Sequence, residues 1–548
     1  MAPLNTAGRR VVVSIIFAVL FGLLFASPAA AHAELLKMTP ANGAELTRPP
    51  TEVQMTFTES VNLITNGIRL IDSSGATVPT EGPTVDGRVV RWPMPAQLPN
   101  GAYIVIWRVT SDDGHPISGA SSFVVGHAST TGSTTSTELP AATSSTTTNQ
   151  PSAPWSVVTA RFASYVTFAV FVGVTAFVLL CAPGSSNESK LQLLVRGGLI
   201  GGMAATVAAM LVQGPYAAGV SMSRILDTGL MRGTATTPFG QALIWRLALY
   251  AAVGALVWRL PRAVGELGSW LVPAGLAGIA VTIAAAGHGA ASGLLALGID
   301  AVHALTAALW IGGLIALVAL GRAAEPSALH RFSRLAMISV LTLIVTGTLN
   351  SLRHLETIEQ LWRTRYGLTL MIKLTLVAIT IAVAAVSRRR LQHQVPLRSV
   401  RLEAALTIGI LLITAVLSMT APPPKAAATN SHAGHDAALE SGNAAVQMSL
   451  GDRGKAALTV LPATTAGSHL HLTITDAKGR PQSASRVSLT VANPSRDIPP
   501  MPVEMSMRDG VWVADYRFPI PGTWKARFTI EGIAPSAVVA SATINIQG

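Results

Sequence analysis

The sequence lacks the features of a large soluble protein and those of a disulfide-stabilised one. Of its 548 residues, only 12% are charged and 5% are aromatic, and Cys181 is the single cysteine. One cysteine excludes an intramolecular disulfide and any metal cluster held by several thiolates. A phosphate-binding loop of the P-loop type is also missing from the sequence, which argues against an ATP-driven pump.

Apolar runs dominate the sequence. Half of the residues are hydrophobic, and the mean hydropathy is +0.47. Several segments reach the length of roughly 20 residues that a helix needs to cross a bilayer. We place about eight spans near residues 156–182, 191–213, 241–260, 269–287, 297–321, 333–352, 367–387 and 402–421. The predicted fold class is therefore a mixed membrane protein with an α-helical bundle of about eight spans.

The basic residues indicate how the bundle is oriented. The formal net charge is +12, and most Lys and Arg residues lie in short loops between apolar runs. Alternate loops carry them: Lys190 and Arg196; Arg259 and Arg262; Arg322, Arg331 and Arg334; and the cluster at 388–401. The positive-inside rule makes these loops cytoplasmic, so both ends of the bundle lie outside the plasma membrane. Membrane lipid, and no nucleic acid, then accounts for the basic balance.

The first 31 residues are predicted to be a secretory signal peptide. Arg9 and Arg10 precede an apolar run, and Ala29 to Ala31 supply small residues for cleavage. Cleavage after Ala31 would make His32 the new amino terminus. The alternative is an uncleaved membrane anchor.

Two exported β domains flank the bundle. Residues 32–126 contain short alternating segments such as Val53, Met55 and Phe57, which predict a β-sandwich or barrel. A Ser/Thr-rich linker at 127–154 joins this domain to the membrane domain at 155–421. A disordered linker at 422–446 precedes a second predicted β-sandwich at 447–548.

A metal site is predicted in the first β domain. A mature amino terminus at His32 would offer its amine and imidazole together. Asp113 and His115 are two residues apart, so in an extended segment they point to the same side. This nitrogen-rich set suits tetragonal Cu(II). The alternative is a turn rich in Asp and Gly that contains an incidental histidine.

Ionisable residues also interrupt the apolar runs. Asp300 and His303 are three apart, so on a helix they share one face, and with His288 they fall near the outer ends of their spans. Such residues are costly in a bilayer and indicate function. The alternative is two polar caps and one satisfied histidine. Lys373 is expected to snorkel, and the alternatives are a carboxylate partner or a polar path. Arg161 and Arg246 are expected to anchor span ends.

Several motifs resemble those of known copper proteins. HAELLKMTPANGAEL (32–46) and WRVTSDDGHPISGASSFVVG (107–126) resemble the CopC copper-binding family. The membrane domain resembles CopD, through GHGAASG (287–293), DAVHALTAALWIGGL (300–314), RFSRLA (331–336), TGTLNS (346–351), YGLTLMIKLTL (366–376) and RLEAAL (401–406). Residues 497–530 resemble the YtkA-like exported β domains.

These resemblances imply copper ligands. By the CopC pattern, His32, Asp113 and His115 would bind Cu(II). In a copper-transporting membrane domain, His288, Asp300 and His303 would line the transport path, where Cu(I) is an option. In the tail, His432, His435, His469 and His471 are accessory metal candidates, although surface histidines of a β domain explain them as well.

A fusion of CopC and CopD resembles the YcnJ-type copper-uptake proteins. The resemblance implies a protein that is not an enzyme, captures Cu(II) outside the cell and imports copper, in copper homeostasis or resistance. Extracellular copper chaperones are potential partners. One alternative is a membrane haem or electron-transfer protein, or a copper reductase. Another is a membrane-tethered copper buffer or sensor.

Overall fold

A computed structural model describes most of the chain. The described residues are 33–126, 153–185, 188–259, 266–287, 293–355, 357–390, 397–420, 444–533 and 538–548. The predicted signal peptide, most of both linkers, and His32, His288, His432 and His435 lie outside them. The chain divides into two compact units. We call them the helical unit, which holds the apolar helices and Thr110–His115, and the β unit, which holds both β domains.

The first β domain is a two-sheet sandwich. Its strands are β1 Leu35–Thr39, β2 Ala44–Leu46, β3 Glu52–Phe57, β4 Val61–Asp72, β5 Thr77–Val78, β6 Thr84–Asp86, β7 Val89–Pro93, β8 Gly101–Ser111 and β9 Pro116–Val125. One sheet has the order β1-β3-β7-β6, and the other has the order β2-β9-β8-β4-β5. This architecture confirms the β-sandwich that the short alternating segments predicted.

Alternation along the strands builds the core of this sandwich. Val53, Met55 and Phe57 on β3 are fully buried, as their period of two predicts. Trp107 on β8 is also fully buried and packs edge-on against Phe57, with 5.4 Å between ring centroids. The two sheets therefore close on large aromatic side chains.

The second β domain is also a two-sheet sandwich. Its strands are β10 Ala444–Ser449, β11 Lys455–Leu461, β12 Ser468–Thr475, β13 Arg486–Asn493, β14 Ile498–Val503, β15 Ser506–Arg508, β16 Val511–Tyr516, β17 Gly522–Glu531 and β18 Val538–Ile546. The sheet orders are β10-β11-β12-β16-β15 and β14-β13-β17-β18. Trp524 and Phe528 on β17 are fully buried between them.

Within the β unit the two sandwiches share apolar contacts. Ile104, Ile106 and Ala120 of the first sandwich belong to the same buried cluster as the core of the second. At the surface, Arg517 donates to the Glu45 carboxylate at 2.8 Å. The sequence predicted two separate domains, because no local pattern of residues marks a shared face.

The helical unit contains long apolar helices and short connecting ones. They are α1 Trp155–Leu180, α2 Ser189–Ala218, α3 Thr228–Ala235, α4 Pro238–Arg259, α5 Glu266–Ala285, α6 Leu294–Leu320, α7 Pro326–His354, α8 Gln360–Arg363, α9 Arg365–Arg390 and α10 Leu397–Leu417. A π-helical turn at Ala169–Gly173 interrupts α1.

Over the described part of the chain, 7 helices are long and apolar enough to cross a membrane. The apolar segment Leu271–Ala285 of α5 is shorter and corresponds to the fourth predicted span. The about eight spans predicted from hydropathy are thus seven long apolar helices and one shorter one.

Two glycines set the contact between α1 and α6. A Cβ atom on Gly173 would lie 1.9 Å from the Ala308 carbonyl oxygen, and one on Gly312 would lie 2.4 Å from the Ala169 carbonyl oxygen. The backbones therefore touch where neither helix carries a side chain, as is common between helices in membranes.

Candidate metal centre

The loop between β8 and β9 carries the first candidate site. Its backbone closes through the Ser111 amide, which donates to the His115 carbonyl at 3.0 Å, and through the Gly114 amide, which donates to the Ser111 carbonyl at 2.9 Å. Gly114 has a φ of +83°, a conformation that glycine adopts without steric cost. The Asp and Gly residues of the sequence thus form a tight turn that fixes Asp113 and His115.

Asp113 and His115 form a pair inside this loop. Asp113 Oδ2 lies 3.0 Å from His115 Nδ1, and both side chains are fully buried. Asp113 Oδ1 accepts hydrogen bonds from the His115 amide at 3.2 Å and from the Ser111 hydroxyl. Burial and these contacts keep the imidazole and the carboxylate side by side within the loop.

The donor chemistry of this pair fits copper. Imidazole nitrogen and carboxylate oxygen are both ligands that Cu(II) accepts in tetragonal sites. Among the described residues, however, no group of three or more His, Cys, Asp and Glu side chains comes together as a metal site. His32, the third predicted ligand, lies outside those residues, so the structure brings together two of the three.

The same loop is held by residues of the helical unit. Gln213 on α2 donates from Nε2 to the Gly114 carbonyl at 2.5 Å. A Cβ on Gly114 would lie 3.0 Å from the Phe239 ring on α4. The role of Gln213 was not predicted, although a glutamine inside an apolar run is a signal that the sequence carries.

Asp300 on α6 belongs to a second polar cluster within the helical unit. Its Oδ1 accepts a hydrogen bond from Asn350 Nδ2 on α7 at 2.7 Å, and it lies 4.0 Å from Arg353 NH1. Arg353 also donates to Asn350 Oδ1 at 3.2 Å. These three side chains form a small network in which the carboxylate has both a neutral and a cationic neighbour.

His303 lies one turn further along α6 than Asp300 and also faces α7. Its Nδ1 lies 2.8 Å from the Thr346 hydroxyl on α7. Both Asp300 and His303 thus contact α7, which confirms the prediction that they share one helix face. Lys373 on α9 is half-buried and lies within electrostatic range of the Asp300 carboxylate, which is one of the alternatives predicted for it.

The partners on α7 had not been predicted. Thr346, Asn350 and Arg353 are spaced four and three residues apart, which places them on one face of a helix. That spacing was readable in the sequence, but only the packing shows that the face meets Asp300 and His303.

His469 and His471 lie on β12 of the second sandwich. Both are exposed and share one face of the strand, as their spacing predicted. His469 Nδ1 lies 2.5 Å from the Asp515 carboxylate on the neighbouring strand β16. This pairing satisfies one of the two histidines without a metal.

Arg161 and Arg246 are not at the surface, as membrane anchors would be. Both are buried in the helical unit, with exposures of 7% and 4%. The expectation that they anchor span ends is therefore wrong. An isolated arginine in an apolar run does not reveal whether it faces headgroups or a neighbouring helix.

Family models match along most of the chain. The CopC domain matches residues 35–126, the N-terminal domain of the copper resistance protein D-like family matches 151–299, and copper resistance protein D matches 326–417. The FixH model matches 405–538, where the sequence suggested a YtkA-like domain.

Individual relatives point the same way. The copper transport protein CutJ of Bacillus subtilis is 25% identical over 501 residues, which are 87% of this chain and 88% of CutJ. Copper resistance protein C of Xanthomonas campestris pv. juglandis is 30% identical over 110 residues, which are 19% of this chain and 86% of that protein.

Among solved structures, CopC from Methylosinus trichosporium OB3b is 29% identical. The match covers 17% of this chain and 93% of that one, with a TM-score of 0.16. The domain matches and the relatives lead to one conclusion. This multi-pass membrane protein belongs to the CopC–CopD family of copper resistance and transport proteins.

Proposed function

We propose that this protein captures Cu(II) outside the cell and imports copper across the plasma membrane. The observation that carries the proposal is the union, in one chain, of a CopC segment with a buried Asp113–His115 pair and a multi-pass segment of the copper resistance protein D kind. In this proposal both β domains are extracellular, as the positive-inside pattern indicates. CutJ, which resembles the chain over most of its length, is named a copper transport protein.

Capture is proposed to use His32, Asp113 and His115. Ala33, the first described residue of the β unit, is buried in the same core as Val109 and Ile117, which flank the loop in sequence. This packing supports bringing the amine and imidazole of His32 to the Asp113–His115 pair after cleavage following Ala31. Asp113 would supply a carboxylate ligand beside His115 and balance the charge of the bound cation.

Transfer is proposed to continue through the helical unit. The hydrogen bond from Gln213 to Gly114 holds the loop between β8 and β9 against α2. This contact supports release of copper at the end of α2 that meets the loop. Asp300 and His303 would then serve as polar stations along α6, with His288 as a further contact. Their partners Asn350 and Thr346 fix the orientation of both side chains.

The second sandwich is proposed to supply accessory copper contacts. His469 and His471 are exposed on one face of β12, and His432 and His435 precede the domain in sequence. Simultaneous replacement of His469 and His471 by alanine should lower the copper stoichiometry of the purified protein. Unchanged stoichiometry would remove this part of the proposal.

Copper accumulation in cells that lack the native gene tests the transport function. The wild-type chain should raise cellular copper at low external copper, and His32→Ala, Asp300→Ala and His303→Ala should each reduce that gain. His330→Ala is the matched control, because this histidine is exposed and its hydrogen-bond partner among the described residues is the Pro326 carbonyl of its own helix. Membrane abundance of every variant is measured by immunoblot.

The outcomes separate transport from its alternatives. Loss of accumulation with all three variants, at normal abundance, supports a path through the bundle. If only His32→Ala lowers copper binding and no variant changes accumulation, the protein is a tethered buffer or sensor. Equal cellular copper with and without the wild-type protein would reject transport altogether.

A further inference from the structure

Two buried arginines line one cavity in the helical unit. Arg161 lies on α1 and Arg246 on α4, and each is more than nine-tenths buried. The cavity between them has a volume of about 20 Å³, room for a single water-sized molecule or ion. Its wall is completed by Ser164, Tyr165, Ala209, Phe239, Leu243, Ile283 and Ala286. Apart from the two guanidinium groups, this lining offers only hydroxyl groups and apolar surface.

Within the described part of the chain, no ion pair balances the two cations. Among the residues that the structure describes, no carboxylate forms an ion pair with either guanidinium, and the groups that act electrostatically on Arg246 are Tyr250, Tyr165 and Arg161. The two arginines therefore repel each other inside an apolar bundle. Burying a charge without a counter-charge is among the most costly arrangements a protein can adopt.

The hydrogen bonds of the pair are incomplete. Arg246 donates from Nε to the Thr282 hydroxyl at 3.2 Å and from NH2 to the Thr282 carbonyl at 2.6 Å. Arg161 NH2 is buried and makes no hydrogen bond within the described structure. The Arg161 guanidinium carbon lies 5.6 Å from the centre of the Phe239 ring. This cation–π contact supplies no hydrogen-bond acceptor for the guanidinium N–H groups.

The two arginines lie at similar distances from the starts of their helices. Arg161 is 6 residues into α1 and Arg246 is 8 residues into α4, which is roughly 9 and 12 Å along each axis. This depth exceeds the reach of a headgroup anchor whose charge remains in water, and the burial of both side chains agrees. The two guanidinium groups thus converge on a space that requires an anion.

We propose that this two-arginine cavity binds a compact anionic group. Guanidinium groups donate to oxyanions and halides through N–H groups held in a fixed plane, and two of them provide both the charge and the donors. The small size of the cavity favours a monovalent ion such as chloride. The phosphate of a lipid headgroup carries the same chemistry and is the second source. The site goes beyond copper transport and does not depend on it.

Anion-dependent stability of the purified full-length protein tests the site. Thermal unfolding in detergent is compared in sodium chloride and in sodium gluconate of equal ionic strength. A ligand that binds only the folded state raises the unfolding midpoint as its concentration increases. The wild type should show this rise with chloride, and Arg161→Gln and Arg246→Gln should lose most of it.

Three further measurements make the result specific. Arg365→Gln removes the same charge at an exposed position and should keep the wild-type response, while Arg161→Lys should keep part of it. Chlorine magnetic resonance line broadening reports bound chloride directly. Phosphorus analysis of the purified protein reports tightly bound lipid, which Arg161→Gln should lose if a headgroup is the ligand.

The site is refuted by either of two results. One is a wild type with neither a chloride response nor arginine-dependent bound phosphorus. The other is an Arg161→Gln protein that is destabilised equally in chloride and gluconate without losing a bound anion, because the arginine would then act through packing alone. A chloride response, or phosphorus lost with the arginine, supports the proposal and identifies the source.

Discussion

Asp113 holds His115 at 3.0 Å from carboxylate Oδ2 to ring Nδ1, with both side chains fully buried. Because the second carboxylate oxygen accepts from the His115 amide, the histidine is fixed through its backbone and its ring together. An imidazole held in this way binds a metal without first losing rotational freedom. The pair is therefore the most preorganised part of the proposed copper pathway.

Replacing this carboxylate by its amide should weaken copper binding. Asp113→Asn keeps the shape of the loop but removes the charge that holds His115 Nδ1, so we expect Cu(II) affinity to fall by about 10- to 100-fold. Competition with a chelator, on the full-length protein, measures the change. Asp112→Asn is the control, since it removes a neighbouring charge outside the pair. Equal affinities of wild type and Asp113→Asn would contradict the assigned role.

The proposed amine ligand makes a distinct prediction about His32. An additional alanine inserted between Ala31 and His32 should move the amine away from the imidazole and break the chelate. Cu(II) binding should then fall even though every side chain is retained, and intact mass will establish where the signal peptide is cleaved. Wild-type affinity in this extended protein would show that the amine is not a ligand.

Asn350 is expected to matter because it bonds the Asp300 carboxylate. Asn350→Leu removes this hydrogen bond to a partly buried carboxylate, and the loss of such a bond costs about 1 kcal/mol or more. Copper accumulation should fall as it does in Asp300→Ala, and the double variant should be no worse than either single one. Additive losses would mean that the two residues act separately.

Asp227 should make the start of α3 sensitive to pH. Its Oδ1 accepts from the Gly229 and Leu230 amides, and the hydrogen bond from Arg224 holds the pKa of this carboxyl below its usual range. Because the pKa is lowered in the folded state, the ionised carboxylate stabilises the cap at pH values above the unfolded pKa of about 3.9. This contribution is lost as the pH falls through the folded pKa.

Hydrogen exchange at the Gly229 and Leu230 amides measures this cap. Protection at neutral pH should drop in Asp227→Ala and persist in Asp227→Asn, whose side-chain oxygen still accepts both bonds. The wild type should lose protection only in acid, after correction for the intrinsic exchange rate. Equal protection in Asp227→Ala and wild type at neutral pH would argue against the cap.

The contact of α1 with α6 predicts a strong dependence on glycine. Gly173→Ala would place a Cβ atom against the Ala308 carbonyl, and overpacking of this kind costs about 1 to 3 kcal/mol or more. The unfolding midpoint of the purified protein should fall. Gly409→Ala is the matched control, because a Cβ at that helical position meets no atom within 4 Å. Equal midpoints for the two variants would contradict the close packing of α1 and α6.

Local patterns were sufficient for the elements and for much of the site. The period of two in Val53, Met55 and Phe57 predicted a buried strand face, and apolar runs predicted the membrane helices, because these patterns report burial directly. The spacing of Asp113 and His115 predicted that their side chains lie on the same side of an extended segment; the two do meet, but in a turn. The spacing of Asp300 and His303 placed both on one helix face. The family motifs added the link to copper.

Tertiary structure decided which residues meet. In the sequence, Thr346 and Asn350 are only polar positions in an apolar run. The structure shows that α7 packs with these residues against His303 and Asp300. Arg161 and Arg246 were expected at span ends, yet helix packing turned both toward one cavity. Sequence alone thus determined the β domains, the apolar helices and the copper family. It could not determine these contacts, because spacing fixes the face of a single helix, whereas the partner of that face depends on contacts between residues far apart in the chain.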